Sequence, residues 1–330
     1  MLNAIKLFLR PSRPDAFSIE NLFQTLYPYI QKGTKAELHI LKSKSTGVLN
    51  RWRLLQEVKK NKSLRVNHIT GDINFVALFL NRRTTILTIH DVESLQRPNP
   101  IASFLLNLFW LKLPVQAAGK ITVVSQQTRM KLLEKVAVSP EKIIVIPNPV
   151  SNLYQYCYKE FNKEKPNLLQ IGTKYNKNLE MLIPALAGLS CTLTIVGKLS
   201  VQQEALLKQY RIEYCNKTGL SNEELLDEYI HADIVTFVST FEGFGMPIIE
   251  ANAVGRVVLT SNISAMPEVA ADAAYLVNPF DCSAIREAIL ELIDNDLLRE
   301  QLIERGVHNA KRYSPEIIAG MYLALYESML

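Results

Sequence analysis

Short apolar runs of strand length alternate with helical patterns from one end of this chain to the other. In the first half the runs are Ala4–Leu9, Ala36–Leu41, Leu64–Ile69, Thr85–Ile89, Ile121–Val124 and Ile143–Ile146. In the second they are Leu168–Ile171, Leu193–Val196, Arg211–Tyr214, Ile234–Val238, Val257–Leu259 and Tyr275–Val277. Strand–helix alternation of this kind predicts doubly wound α/β domains with parallel sheets, whose ligand sites lie at the carboxyl ends of the strands. At 330 residues the chain exceeds the usual single domain, so two are expected. The break falls at Pro147-Asn148-Pro149-Val150, ahead of a polar stretch to Pro166. That gives domains over 1–150 and 151–313, with Ser314-Pro315-Glu316 opening a final amphipathic helix to residue 330.

Bulk properties narrow the classes further. Hydrophobic residues at 48% and charged residues at 21% suit a globular protein rather than a disordered or membrane-spanning one. The longest apolar stretch, Ile101 to Leu113, is interrupted by Ser103, Asn107 and Lys112 and is too short to span a bilayer. It predicts either a buried helix or, with Arg97 and Lys112 beside it, a surface that meets anionic lipid. The first ten residues read as a strand, not a leader. Four scattered cysteines without a C-x-x-C pair indicate neither a disulfide framework nor a zinc site, and a reducing compartment is expected. The net charge of +5 hides an asymmetry: residues 1–150 hold 22 Lys/Arg against 9 Asp/Glu, and residues 151–330 hold 15 against 23. A basic half suits an acidic substrate, an anionic membrane or nucleic acid; no nucleic-acid reading motif accompanies it.

The chemistry concentrates in Phe241-Glu242-Gly243-Phe244-Gly245-Met246-Pro247-Ile248-Ile249-Glu250. An apolar run precedes it, and Pro247 marks a helix opening, so the segment is a strand, a glycine turn and a helix N-terminus. Gly243 and Gly245 permit close backbone approach, and amides at the helix start, from Phe244 to Met246, attract phosphate oxygens. Ionised glutamates repel phosphate and accept hydrogen bonds from hydroxyls. Glu250 falls in the second helical turn, roughly 6 Å along the axis. A ligand with hydroxyls at both ends and phosphates between satisfies all three features, and a nucleotide sugar has that layout. Separately, the strand, glycine loop and helix start at Leu169–Leu179 carry Lys174 and Lys177, two cations suited to a pyrophosphate.

Glu-Gly-Phe-Gly-Met-Pro-Ile-Ile-Glu resembles the E-x7-E signature of retaining glycosyltransferases of family 4. The resemblance implies the GT-B fold, two Rossmann-like domains facing each other across a cleft, with the last helix packed back on the N-terminal domain. It implies Glu250 on the ribose, Lys177 and the Gly243–Met246 amides on the diphosphate, and Glu242 on the transferred sugar. Lys177 matches the family's Lys-Asn segment. Thr173 stands where many members have Arg, and Lys174 is the substitute cation. Gly197, in Val196-Gly197-Lys198, marks the loop near the nucleotide base. In the N-terminal domain the resemblance points to His90 and Asp91 at a strand end, and to His68 and Asp72 on the acceptor side. The loop Arg10–Glu20 lacks the Gly-Gly pair common in the family.

Two features have ordinary structural readings. Ser221 with Glu224 forms a capping box. Asp294-Asn295-Asp296 matches a metal-holding D-x-D formally but reads as a turn and cap, so no metal or other cofactor is expected. The function implied is retaining, metal-independent sugar transfer from a UDP- or GDP-linked donor to a glycan or lipid-linked glycan, in the cytoplasm or on the cytoplasmic face of a membrane. The alternatives are a non-catalytic nucleotide-sugar-binding subunit, a sugar-nucleotide epimerase and a phosphorylase.

Overall fold

The structure is a computed structural model that describes residues 5–11, 18–43, 47–92 and 99–330. Arg97 and most of the loop after the first strand lie outside the described residues. The chain divides into two compact units: the described residues up to Pro149 together with Pro315–Leu330, and Val150–Ser314.

The first unit runs β1 (Ile5–Leu9), α1 (Ser18–Gly33), β2 (Ala36–Ile40), α2 (Val48–Asn61), β3 (Asn67–Ile69) and β4 (Thr85–Ile89). It continues through α3 (Pro100–Asn107), α4 (Leu113–Ala117), β5 (Lys120–Val123), α5 (Gln126–Lys135) and β6 (Ile143–Val145). Its strands are parallel in the order β2-β1-β3-β4-β5-β6. Alternate residues of β1 serve opposite faces, as the period of two requires. Ile5, Leu7 and Leu9 pack with Phe23, Leu26 and Ile30 of α1, whereas Phe8 packs with Leu54 and Val58 of α2. The C-terminal helix α13 (Pro315–Glu327) joins the first of these layers through Ile318, Tyr322 and Tyr326.

The second unit runs β7 (Asn167–Ile171), α6 (Leu179–Ala185), β8 (Thr192–Val196), α7 (Val201–Gln209), β9 (Tyr214–Lys217) and α8 (Asn222–His231). Then come β10 (Ile234–Phe237), α9 (Met246–Val254), β11 (Val257–Ser261), α10 (Met266–Ala270), β12 (Tyr275–Val277), α11 (Cys282–Asp294) and α12 (Asp296–Lys311). All six strands are parallel, in the order β12-β11-β10-β7-β8-β9. The connections leave β7 and β10 in opposite directions, so these adjacent strands form the topological switch point, where open α/β sheets bind ligands. In the first unit the corresponding point lies between β1 and β3.

Three sequence expectations need correction. The third strand begins at Asn67 rather than Leu64: Leu64 is 77% exposed, and the Asn67 side chain folds back to bond both the amide and the carbonyl of Ser63. The ninth begins at Tyr214 rather than Arg211, because Arg211 takes a left-handed φ of 52° and Ile212 bonds back to Leu207, closing α7. The stretch 101–113 is not a buried helix. It passes from α3 through a π turn, Leu108–Lys112, into α4, with Leu111 buried and Phe104, Leu105 and Phe109 exposed.

Candidate active site

Both loops at the switch point of the second unit carry the residues singled out in the sequence. The β7 strand ends at Ile171, and Gly172 turns the chain with a φ of 87°. A Cβ there would lie 3.0 Å from Cε of Lys177, so the glycine lets the lysine stem fold back over the strand end. Lys177 closes a 3-10 turn, and Asn178, left-handed at φ 62°, starts α6. The Asn178 amide donates to the carbonyls of Val238 and Pro279, which ties this turn to the end of β10.

Glu242 is fixed from three directions. Lys177 Nζ lies 2.6 Å from its Oε1, and Asn176 Nδ2 donates to the same oxygen at 3.0 Å. Ser264, in the loop after β11 with a φ of 59°, accepts from the Glu242 amide and donates to its carbonyl. The lysine ammonium also lies 4.5 Å from the centre of the Phe237 ring, a cation–π contact. Thr240 N and Asn176 O close a further bond between the two loops at 2.8 Å.

The helix α9 starts at Gly245, whose φ of 116° would strain any residue with a side chain. No side chain caps this end, so the dipole and first-turn amides face the glycine turn. Phe244 is buried edge-on against Tyr313. One turn into α9, Glu250 receives a 2.6 Å hydrogen bond from the Tyr229 hydroxyl. Burial pushes the Glu250 carboxyl up to about 7, against the downward pull of the Tyr229 bond and the Lys177 charge.

The remaining expected residues sort themselves by place. Thr173 hydroxyl donates to the Lys198 carbonyl at 2.6 Å, and its side chain packs against Gly197, so it joins the ends of β7 and β8. Lys174 is exposed on the same loop. In the first unit His90 Nε2 donates to the Thr70 carbonyl at 2.7 Å, and Asp91 follows it, partly exposed. Asp72, left-handed at φ 56°, pairs with Arg10 at the end of β1, which puts the pair at that sheet's switch point. Sequence reasoning assigned Arg10 no role.

His68 is a correction. Its ring is fully buried, with Nδ1 2.8 Å from the Tyr326 hydroxyl and Nε2 2.7 Å from Thr88 Oγ1. Burial, with the neighbouring His90 adding to it, lowers its pKa to about 3, so it is a neutral core residue bonded to α13 rather than a group offered to an acceptor.

Asn295 caps α12, and Asp296 pairs with Lys163 and Arg299. Among the described residues no group of three or more His, Cys, Asp or Glu is placed to hold a metal ion. A cavity of about 440 Å³ lies at the opposite, amino-terminal edge of the second sheet, lined by Lys159, Asp233, Arg256 and Arg299. These four side chains are committed to one another, to Asp296 and to backbone carbonyls, a structural role. Three residues at the site went unassigned from sequence: Asn176, although it adjoins Lys177, and Ser264 and Tyr229, which no spacing connects to the glutamates.

Two parallel doubly wound units of this kind are the architecture of the GT-B glycosyltransferases. The family model for Glycosyltransferase Family 4 matches residues 7–152, and that for Glycosyl transferases group 1 matches residues 159–308. The chain belongs to glycosyltransferase family 4. It is 42% identical over 90 residues to the O-antigen chain mannosyltransferase B of Escherichia coli, covering 27% of this chain and 24% of that one. It is 28% identical over 226 residues to the MMP alpha-(1->4)-mannosyltransferase of Mycolicibacterium hassiacum, covering 64% and 54%. The chain thus spans between about a quarter and about half the length of these curated relatives. Among solved structures, HepE of Anabaena in complex with UDP and glucose superposes with a TM-score of 0.81 at 16% identity, covering 98% of this chain and all of that one. WaaG, a glycosyltransferase involved in lipopolysaccharide biosynthesis, gives 0.74 at 15% identity, covering 98% and 99%. These likenesses establish the fold.

Proposed function

We propose that the protein transfers a sugar, with retention, from a nucleoside diphosphate donor to a hydroxyl of a glycan or lipid-linked glycan in surface polysaccharide assembly. The observation that carries the reading is the constellation at the second switch point: Glu250 one turn inside α9, the uncapped α9 N-terminus, and Lys177 on Glu242. Glu250 accepts the ribose hydroxyls, and Glu242 addresses the sugar being moved. As the glycosidic bond breaks, charge grows on the leaving diphosphate, and the amides and Lys177 are already oriented to stabilise it. The leaving phosphate takes the acceptor's proton at the front face, so His90 positions the reactants, with Asp91 and Asp72 on the acceptor side. Lys174 is a further cation beside the diphosphate, and Gly197 lies near the base. Transfer on this scheme needs no metal and survives chelation.

The mannosyltransferase names of the relatives favour a mannosyl donor, UDP- or GDP-linked. A thermal-shift panel of UDP, GDP and their sugars tests the donor, since a bound ligand raises apparent stability with occupancy. Transfer of radiolabelled mannose to lipid-linked oligosaccharide acceptors tests the reaction. Turnover that requires inorganic phosphate would instead mark a phosphorylase, sugar interconversion without acceptor an epimerase, and donor binding without turnover a non-catalytic subunit.

The acceptor reading includes peripheral contact with anionic lipid. Val48, Leu49 and Trp52 of α2 are exposed, as are Phe104, Leu105 and Phe109, and Arg51, Arg53, Lys59 and Lys60 share α2 with the first group. Apolar side chains beside basic ones suit the headgroup region of a bilayer. Among the described residues no helix is long and apolar enough to cross a membrane. The enzyme then works at the cytoplasmic face, in keeping with four free cysteines.

A further inference from the structure

Tyr229 lies in α8, 21 positions before Glu250, and is among the largest fully buried side chains of the protein. Phenylalanine would fill the same space without a polar atom to satisfy, so a buried tyrosine is explained by the partner of its hydroxyl. That partner is Glu250 Oε2, at 2.6 Å. The ring is braced from behind by Tyr154, edge-on at 5.5 Å. Its backbone is held by Arg256, whose guanidinium donates to the carbonyls of Tyr229 and Ile230, and also to those of Val254 and Gly255 at the end of α9. The distance from phenol to carboxylate is therefore set by two elements clamped together. Among the described residues Oε1 of Glu250 takes no hydrogen bond.

We propose that Tyr229 is a positioning residue of the nucleotide site: its hydroxyl fixes Glu250 by Oε2 and turns Oε1 toward the ribose. The inference rests on the assignment of Glu250 to the ribose made above. The ionisable groups bearing on Glu250 are Tyr229 from α8, Tyr154 from the segment before β7 and Lys177 from the loop after it. The helix α12, also packed on α9, presents the neutral contacts of Gly306 and Asn309 to Asn252. The Tyr229 pKa is raised well above its ordinary value by burial, so the phenol keeps its proton and always donates. A donor to the carboxylate favours the ionised form, which accepts the stronger, charge-assisted bonds from hydroxyls. Affinity for nucleotide accordingly falls as pH drops through the Glu250 pKa, and loss of the phenol moves that fall to higher pH.

Calorimetric Kd values for UDP and GDP, whichever the wild type binds, measured from pH 6 to 9 on the full chain decide it. Tyr229→Phe is expected to weaken binding about three- to tenfold at pH 7, shift the midpoint upward and recover toward pH 9. In a Glu250→Gln background, itself weaker and flat with pH, Tyr229→Phe is expected to change nothing further. An unchanged midpoint in Tyr229→Phe, or a loss just as large when it is combined with Glu250→Gln, would reduce Tyr229 to packing. Wild-type affinity and pH profile in Glu250→Gln alone would remove the ribose assignment itself, a result distinct from the other two. Should Tyr229→Phe fold poorly, fluorotyrosine at 229 keeps the shape and donates more strongly. Its expected shift is downward, and an upward or null shift overturns the proposal.

Discussion

Lys177 and Glu242, 65 positions apart, form an ion pair 2.6 Å long across the switch point of the second unit. Both side chains are mostly buried, at 18% and 16% exposure, and Phe237 covers the ammonium on another side. Two groups assigned to different parts of the donor thus neutralise each other before any ligand arrives. An ammonium has three donors, so Lys177 can keep Glu242 on one and offer another to a phosphate oxygen. On the proposed roles, the pair holds the ammonium in a preset place, as electrostatic preorganisation requires.

Removing the lysine should therefore damage two things at once. Lys177→Ala leaves Glu242 with Asn176 as its side-chain partner, and between about 1 and 3 kcal/mol of stability should be lost. Transfer should fall on the order of a hundredfold in kcat/KM, because the leaving diphosphate loses its cation. Urea unfolding and donor-saturation kinetics read the two effects separately. A Lys177→Ala variant with full transfer activity would exclude the lysine from the leaving-group site.

Gly172→Ala tests the backbone that makes this pair possible. Its φ of 87° is strained for alanine, and the new methyl meets the Lys177 stem at 3.0 Å. A loss of about 1–2 kcal/mol is expected from strain alone. The lysine must also shift, so donor KM should rise, which strain at an unrelated turn would not cause.

The parts of this fold that depend on local periodicity were legible in the sequence. The apolar runs marked the strands, and the glycine turn before Pro247 located the start of α9 at Met246. What escaped depends on packing between distant segments. His68 and His90 look alike from sequence, each a histidine near a strand's carboxyl end. The difference is made by Tyr326, 258 positions downstream, which occupies the His68 ring nitrogen while His90 stays partly exposed. Tyr229 and Ser264 reach the glutamates only after α8 and the loop after β11 are brought beside α9. No local pattern encodes those meetings.

Glu250 should make the ligand-free protein less stable as pH rises. Burial raises its pKa from 4.5 to about 7, so between these values the folded protein holds a proton that the unfolded chain releases. The contribution to stability is whole below about pH 4.5 and is lost as pH rises through 7. Glu250→Gln removes the charge. Its melting temperature should match wild type near pH 4 and exceed it at pH 8, by about 2–4 °C for each kcal/mol recovered. A constant difference at both pH values would mean that the carboxyl is ionised throughout.

His68 gives the opposite slope. Its folded pKa, about 3, lies below the ordinary 6.5, so the unfolded chain binds a proton that the folded one refuses. Stability from this group is present above pH 6.5 and is lost as pH falls toward 3. Subtracting a His68→Gln variant from wild type isolates this slope from that of Glu250. Tyr326→Phe leaves one ring nitrogen without its buried partner and should cost about 1–3 kcal/mol. If denaturation of Tyr326→Phe matched wild type, the bond between β3 and α13 would contribute nothing.

The exposed apolar groups of the first unit supply the last prediction. Trp52 is 60% exposed and Phe109 50%, so replacing either with serine removes little packing and should change stability by no more than about 0.5 kcal/mol. Arg51 lies over the Trp110 ring, 5.1 Å from its centre, which anchors the start of α2 to the π turn that carries Phe109. Both apolar groups therefore belong to one braced region, with the α2 bases beside them. Co-sedimentation with vesicles containing phosphatidylglycerol should be strong for wild type at low salt, should weaken as salt screens the basic residues, and should drop further for Trp52→Ser with Phe109→Ser. Neutral phosphatidylcholine vesicles should bind poorly, because the apolar contact alone is small. Equal binding to both vesicle types would make the attraction apolar rather than electrostatic, and no loss in the double variant would place the contact elsewhere on the basic unit.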